Sequence, residues 1–308
     1  MKTIAIILAT ASAFAGVAAH AQAVNSGSLA NLNGSFGGGT AVTTTNANGT
    51  STTVTGPSGG ANRATATPTI GSWYQSEVGG NGTVGITNTY TNDGNGAAYF
   101  AGSSATGASK GDLAYNFAAP VLLSSLTNMS YDFYRAASST VDANLAPVMR
   151  FNILKDGVFA GSLVLENVYQ FQTPAPVGTW TNVSATLNSG IVWATNGSLG
   201  PTFADANGGQ KTFADWINAS ANANSTLTVT GLSIGFGSGW SGDFAGAIDN
   251  VKFGFTGGPS ANFDFVVNDA NGAVPEPATW ALMIAGFGLT GVSMRRRKAS
   301  VRTKVSFV

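Results

Sequence analysis

Pro147-Val148-Met149-Arg150-Phe151-Asn152-Ile153-Leu154 and Val158–Val168 flank the tripeptide Lys155-Asp156-Gly157. Two apolar-rich runs joined through Asp-Gly read as a β-hairpin, because the tight turn that matches strand twist needs positive φ at both central residues. In Tyr131-Asp132-Phe133-Tyr134-Arg135 the rings at 131 and 133 share one face, with Asp132 and Tyr134 on the other, the period of a strand. The same texture extends outward in both directions. Gly71–Ser76, Thr83–Tyr90, Ala97–Ala101, Leu113–Phe117 and Met129–Arg135 read as strands before the hairpin. Trp180–Leu187 and Ile191–Trp193 follow it, joined by Asn188-Ser189-Gly190, and Leu227–Phe236 and Phe244–Phe255 return to strand. Phe263, Phe265 and Val267 alternate in Asn262–Asn268 and suit an edge strand. The one helical pattern is Lys211–Ala219, where Phe213, Trp216 and Ile217 fall at i, i+3 and i+4 and make a stripe that packs on a sheet. About ten short strands and one small helix indicate an antiparallel β-sandwich; a β-helix would need a sequence repeat, and none is visible.

The two ends have a different character. Lys2, the apolar run Ile4–Val17 and Ala19-His20-Ala21 have the three parts of a cleavable export signal. Cleavage there removes His20, the single histidine of a chain that has no cysteine. A mature protein without His or Cys excludes Ser-His-Asp and Cys-His catalysis, imidazole and thiolate metal sites, and disulfides. Residues 22–70 are a leader rich in Gly, Ser, Thr, Asn and Ala, with too few apolar residues to offset the entropy of ordering it. It is expected to be a flexible spacer, with room for one extra edge strand.

Near the C-terminus, Val274-Pro275-Glu276-Pro277-Ala278-Thr279-Trp280 leads into 17 uncharged residues, Ala278–Met294, and then Arg295-Arg296-Arg297-Lys298. That length is at the short limit for a membrane-spanning helix, and the basic cluster should stay cytoplasmic. All 14 acidic residues precede Arg295, beside seven basic residues in 22–294, so the ectodomain is net negative while the tail is positive. An acidic ectodomain with no basic patch argues against nucleic acid as a partner.

This tripartite tail resembles the PEP-CTERM sorting signal of Gram-negative bacteria. The resemblance implies recognition of Pro275, Glu276 and Pro277, with Arg295, Arg296 and Arg297, by an exosortase-type membrane transpeptidase. It further implies an inner-membrane intermediate and delivery to the cell surface or extracellular matrix. The expected organisation is a signal peptide (1–21), leader (22–70), sandwich (71–256), linker (257–274), sorting signal (275–298) and cytoplasmic tail (299–308), with a helix in each of the two membrane signals.

Gly235-Phe236-Gly237-Ser238-Gly239-Trp240-Ser241-Gly242-Asp243-Phe244, followed by Ala245-Gly246-Ala247-Ile248-Asp249-Asn250-Val251, is the most distinctive ectodomain stretch. Its Gly-rich turn and Ile-Asp-Asn-Val strand resemble the last strand of concanavalin-A-like and laminin-G-like jelly rolls. Asp249 and Asn250 are expected to bond the adjoining loop or cap the sheet edge. Because such jelly rolls often hold calcium, the competing reading makes Asp243 and Asp249 Ca²⁺ ligands with backbone carbonyls, and Asn92-Asp93-Gly94-Asn95-Gly96 is a second place of this kind that a plain turn explains equally well. No other cofactor is expected. Trp240, among five glycines, is read as an exposed ring that, with Asp243, Asp249 and Asn250, engages extracellular polysaccharide; the alternative is that the Gly-rich loop lets the ring fold back onto its own sheet.

The expected function is therefore a non-enzymatic, exported sandwich associated with polysaccharide or biofilm matrix. The rival is a glycoside hydrolase, which needs two carboxylates and no histidine. Its candidates are Asp132, Asp142, Glu166, Asp243 and Asp249, although Glu166 is expected on the solvated side of a strand.

Overall fold

In a computed structural model of the chain, the described residues are 21–26, 40–46, 49–55, 70–171, 174–200, 211–267 and 306. Met1–Asn268 forms one compact unit and Asp269–Val308 another. The expected signal-peptide helix, membrane helix and Pro-Glu-Pro segment lie outside the described residues. Among those described, no helix is long and apolar enough to cross a membrane.

The strands are β1 Gln22–Asn25, β2 Thr40–Asn46, β3 Gly49–Thr55, β4 Trp73–Gly79, β5 Thr83–Thr87, β6 Ala97–Ser104, β7 Lys110–Leu122 and β8 Leu126–Arg135. After them come β9 Val148–Lys155, β10 Val158–Leu165, the short helix α1 Asn167–Phe171, β11 Trp180–Ala185, β12 Val192–Ala194 and helix α2 Phe213–Asn218. The last three strands are β13 Leu227–Phe236, β14 Gly242–Phe255 and β15 Ser260–Val266. They form two sheets. One has six strands in the order β12-β10-β9-β13-β7-β4. The other has nine: β1-β15-β14-β6-β5-β3-β2 form one path, and β14 also pairs β8, which pairs β11. Every pairing is antiparallel except β1 with β15.

The opening hairpin forms as its sequence dictates. Asp156 (φ 53°) and Gly157 (φ 82°) are the two central residues, both left-handed, between β9 and β10. Met149, Phe151 and Ile153 enter one apolar core with Leu163 and Leu165 of β10 and Tyr131 and Phe133 of β8. The Tyr131 hydroxyl is buried too, and it donates to the Pro147 and Leu165 carbonyls at 3.0 and 3.2 Å.

Helix α2 also forms as expected. Thr212 and Asp215 close a capping box at its start, Phe213 and Trp216 are buried, and the Trp216 indole donates to the Val192 carbonyl at 2.8 Å.

Three expectations are corrected. The strand expected over Val158–Val168 stops at Leu165, where its partner β9 runs out, and α1 turns the chain instead. Gln170 ties α1 to the start of β12 by bonding both the carbonyl and the N–H of Ile191. The leader is more than a spacer: β1 pairs β15, and β2 with β3 forms a hairpin that extends the nine-stranded sheet from β5. A Thr-rich segment can add to an open sheet edge through its backbone. Consequently β15 is not an edge strand; it lies between β14 and β1, with Phe263 and Phe265 fully buried.

Candidate functional site

The six-stranded sheet has two faces because its strands alternate. Leu113, Leu232, Phe151 and Leu163 turn into the core, and the opposite face mixes polar, small and aromatic residues. Tyr74, Ala114, Ser233, Arg150, Val164 and Trp193 stand abreast across β4, β7, β13, β9, β10 and β12. On the central strand β13, Gly231, Ser233 and Gly235 share this face and keep its floor shallow. A Cβ at Gly235 would come within 2.0 Å of Asp112 Oδ1, so glycine is required where Asp112 leans over it.

Above this floor lie two adjoining hollows of about 310 and 270 Å³, which share Lys110, Arg150 and Thr195. Arg150 donates to Asp112 Oδ1 at 2.8 Å, and both side chains are nearly buried. A charge-assisted bond of this kind fixes both groups in place. Lys110 is paired with Glu77 at the side. Ser162 donates to Asn152 Oδ1 at 2.9 Å, adding a neutral polar pair. Trp193, half-buried, donates its indole N–H to Glu166 Oε2 at 2.9 Å. The expectation for Glu166 is corrected. It is 7 % exposed rather than solvated, because the chain bends into α1 just beyond it. Burial pushes its carboxyl up, against the lowering effects of the Trp193 bond and the Arg150 charge.

Trp240 is not the exposed ring expected from its glycines. It is 8 % exposed and packs edge-on against Phe244 at 5.0 Å and against Phe236 at 5.9 Å. The Gly-rich turn lets the chain fold back so that the indole covers the ends of β13 and β14. What remains accessible lines the larger hollow beside Trp193.

Asp243 and Asp249 do not meet in one site. Both lie on β14, six positions apart, which is about 20 Å at strand rise. Asp243 accepts from the Ser103 hydroxyl at 2.5 Å, and its backbone is bonded to Thr140 and Val141. Asp249 is fully buried, where one edge of β14 changes partner from β6 to β15. Its Oδ1 accepts from the N–H groups of Asn250 and Phe265 at 2.8 and 3.0 Å. Asn250 adopts φ 51° at the accompanying bulge and donates to Asp132 Oδ2. The carboxylates that do converge on Asp249 are Asp93 and Asp264, each with an oxygen within 4.8 Å of the others. Burial first, and then these two negative neighbours, push the Asp249 carboxyl up to about 7 against its two backbone bonds.

The hydrolase candidates are dispersed. Asp132 is held by the amides of Asn92, Asn182 and Asn250 on the nine-stranded sheet, and Asp142 lies in the loop after β8. Glu166 belongs to the other sheet. Sequence reasoning missed Asp112, Arg150 and the role of Trp193. The alternation of Val148, Arg150 and Asn152 opposite the β9 core residues was the signal available for this face.

Residues 273–298 match the PEP-CTERM protein-sorting motif. No curated protein sequence matches the chain. Among solved structures, a family 11 carbohydrate-binding module from Clostridium thermocellum, in complex with a β-1,3-1,4-mixed-linked tetrasaccharide, is 14 % identical. It covers 60 % of this chain and 89 % of its own, with a TM-score of 0.33. A non-crystalline-cellulose-specific module, CBM28, is 13 % identical over 64 % of this chain and 96 % of its own, with a TM-score of 0.31. At that likeness neither their ligands nor their sites are carried over. The chain is a β-sandwich protein that carries a PEP-CTERM sorting motif at its C-terminal end, and that motif implies export to a surface or extracellular location.

Proposed function

We propose that this is an exported, non-enzymatic glycan-binding protein of the cell surface or extracellular matrix, and that a neutral polysaccharide lies across the hollowed face of the six-stranded sheet. One observation carries the reading: two hollows adjoin on this face through Lys110, Arg150 and Thr195, one bordered by Trp193, Trp240 and Glu166, the other by Asp112 and Ser233. An aromatic face covers the apolar side of a sugar ring, while fixed carboxylates, amides and hydroxyls bond its hydroxyls. The acidic ectodomain would repel acidic polymers at low salt, which favours neutral glycans.

In this account a signal peptide starts export and the apolar segment after Pro277 holds an inner-membrane intermediate. An exosortase-type transpeptidase then acts at Pro275-Glu276-Pro277, with Arg295, Arg296 and Arg297 on the cytoplasmic side. A second reading has one observation in its favour. Glu166 is a carboxyl raised by burial beside a hollow, as a general acid would be. Calorimetric titration with neutral oligosaccharides, followed by assay for new reducing ends, separates the two. Binding heat without product supports the binding protein; new reducing ends that disappear in Glu166→Gln support the hydrolase.

A further inference from the structure

The second place where carboxylates gather is on the nine-stranded sheet, where β14 passes from β6 to β15. Asp249 brings a fully buried side chain there. Its Oδ1 is used by two backbone N–H groups, but its Oδ2 is buried and accepts no hydrogen bond. Asp264, on β15, has one oxygen bonded to the Asn95 amide at 2.8 Å, and its other oxygen, Oδ1, is buried without a donor. Asn95 Oδ1 is buried without a donor as well. Asp93 completes the group from the exposed loop between β5 and β6. Buried oxygens are normally bonded, and leaving one without a partner is destabilising, more so when it is charged. Here several such atoms occur at one place, and three of the side chains are acids. The two charged side chains that act on Asp249 are both negative.

We propose that Asp93, Asp249 and Asp264, with Asn95 beside them, bind a hard divalent cation of the calcium type. The donor set is all oxygen, which suits Ca²⁺ and excludes the softer metals that need imidazole or thiolate. The exposed position of Asp93 leaves one side open to solvent, from which water completes the six to eight oxygens that Ca²⁺ takes. Such an ion joins three separate pieces of chain: the loop carrying Asp93 and Asn95, strand β14 and strand β15. The Val267 N–H, bonded to the Asn95 carbonyl at 2.9 Å, already draws that loop onto the end of β15. The site is independent of the glycan-binding face, which lies on the other sheet.

The test uses the full chain stripped with a chelator and titrated with calcium chloride or magnesium chloride, by calorimetry and thermal melting. Calcium should give saturable binding heat and a Tm that rises with the logarithm of its concentration, with magnesium weaker. Asp264→Asn still accepts the Asn95 hydrogen bond but loses the charge, and should weaken calcium binding by about ten-fold or more. Should that variant not fold, the exposed Asp93→Asn reads the same loss. Asp243→Asn, remote on β14, should bind as wild type does. Absence of calcium heat and of any Tm rise overturns the proposal, and so does binding that survives Asp93→Asn or Asp264→Asn unchanged.

Discussion

The Trp193 indole nitrogen lies 2.9 Å from Glu166 Oε2, so an aromatic ring and a buried carboxyl are held as one unit at the hollow's border. Because burial raises the folded-state value of Glu166 above its ordinary 4.5, the unfolded chain gives up this proton first. The stability linked to Glu166 is therefore present in full below about pH 4.5 and is lost as pH rises through the raised folded value. Glu166→Gln keeps an acceptor for Trp193 and removes the charge. Urea midpoints from pH 4 to 8 should fall less steeply in the variant than in wild type, and parallel curves would contradict this.

Trp240 contributes to stability first. Its contacts with Phe236 and Phe244, at 8 % exposure, make Trp240→Ala a core truncation that should cost about 3–5 kcal/mol. Trp216→Ala, fully buried with its indole bonded to Val192, belongs in the same range. Equilibrium denaturation measures both, and a Trp240→Ala loss below about 1 kcal/mol would mean that the ring is not packed as described.

Gly235→Ala tests the floor of the hollow. The added methyl would meet Asp112 Oδ1, which must move away from Arg150. A buried ion pair that is broken costs more than its formation gained, so the loss should be about 3 kcal/mol. Glycan retention should fall with it. If stability and retention match wild type, the Arg150–Asp112 pair does not depend on this glycine.

Much of the fold was legible because single positions carried it. Asp156-Gly157 determines a hairpin, and the Tyr131–Phe133 alternation determines which face of β8 is covered. Phe213, Trp216 and Ile217 define α2; its Thr212–Asp215 capping box emerged only from the structure. The leader strands were not legible, because β2 pairs β3 and β3 pairs β5 through the backbone, and backbone hydrogen bonds leave no signature in side-chain pattern. The site was misjudged for a related reason. Glycines around Trp240 show that the turn is free to bend, without showing toward which ring. Asp249 was singled out from its Ile-Asp-Asn-Val strand. Its neighbours Asp93 and Asp264 are distant in sequence and come together only when β14 changes partner between β6 and β15.

Processing is tested at Pro275-Glu276-Pro277. Proline fixes φ and biases the residue before it toward extended backbone, the kind of sequence a membrane transpeptidase would read. Replacing the three residues with alanine should leave the protein in the inner membrane with its tail attached, as read by fractionation and intact mass. Identical location and mass in wild type and variant would reduce the motif to a linker.

The central claim is that a neutral glycan lies on the face floored by Ser233 and bordered by Trp193. The most direct measurement is affinity electrophoresis through gels containing neutral polysaccharides, with thermal melts alongside. Wild type should be retarded. Trp193→Ala, which removes a half-buried ring from the border, should lose retardation, and Ser233→Tyr, which fills the floor, should lose it too. Tyr134→Ala, on the nine-stranded sheet, should migrate as wild type does. Wild-type retardation that persists in folded Trp193→Ala and Ser233→Tyr, or no retardation in any neutral gel, would contradict the account.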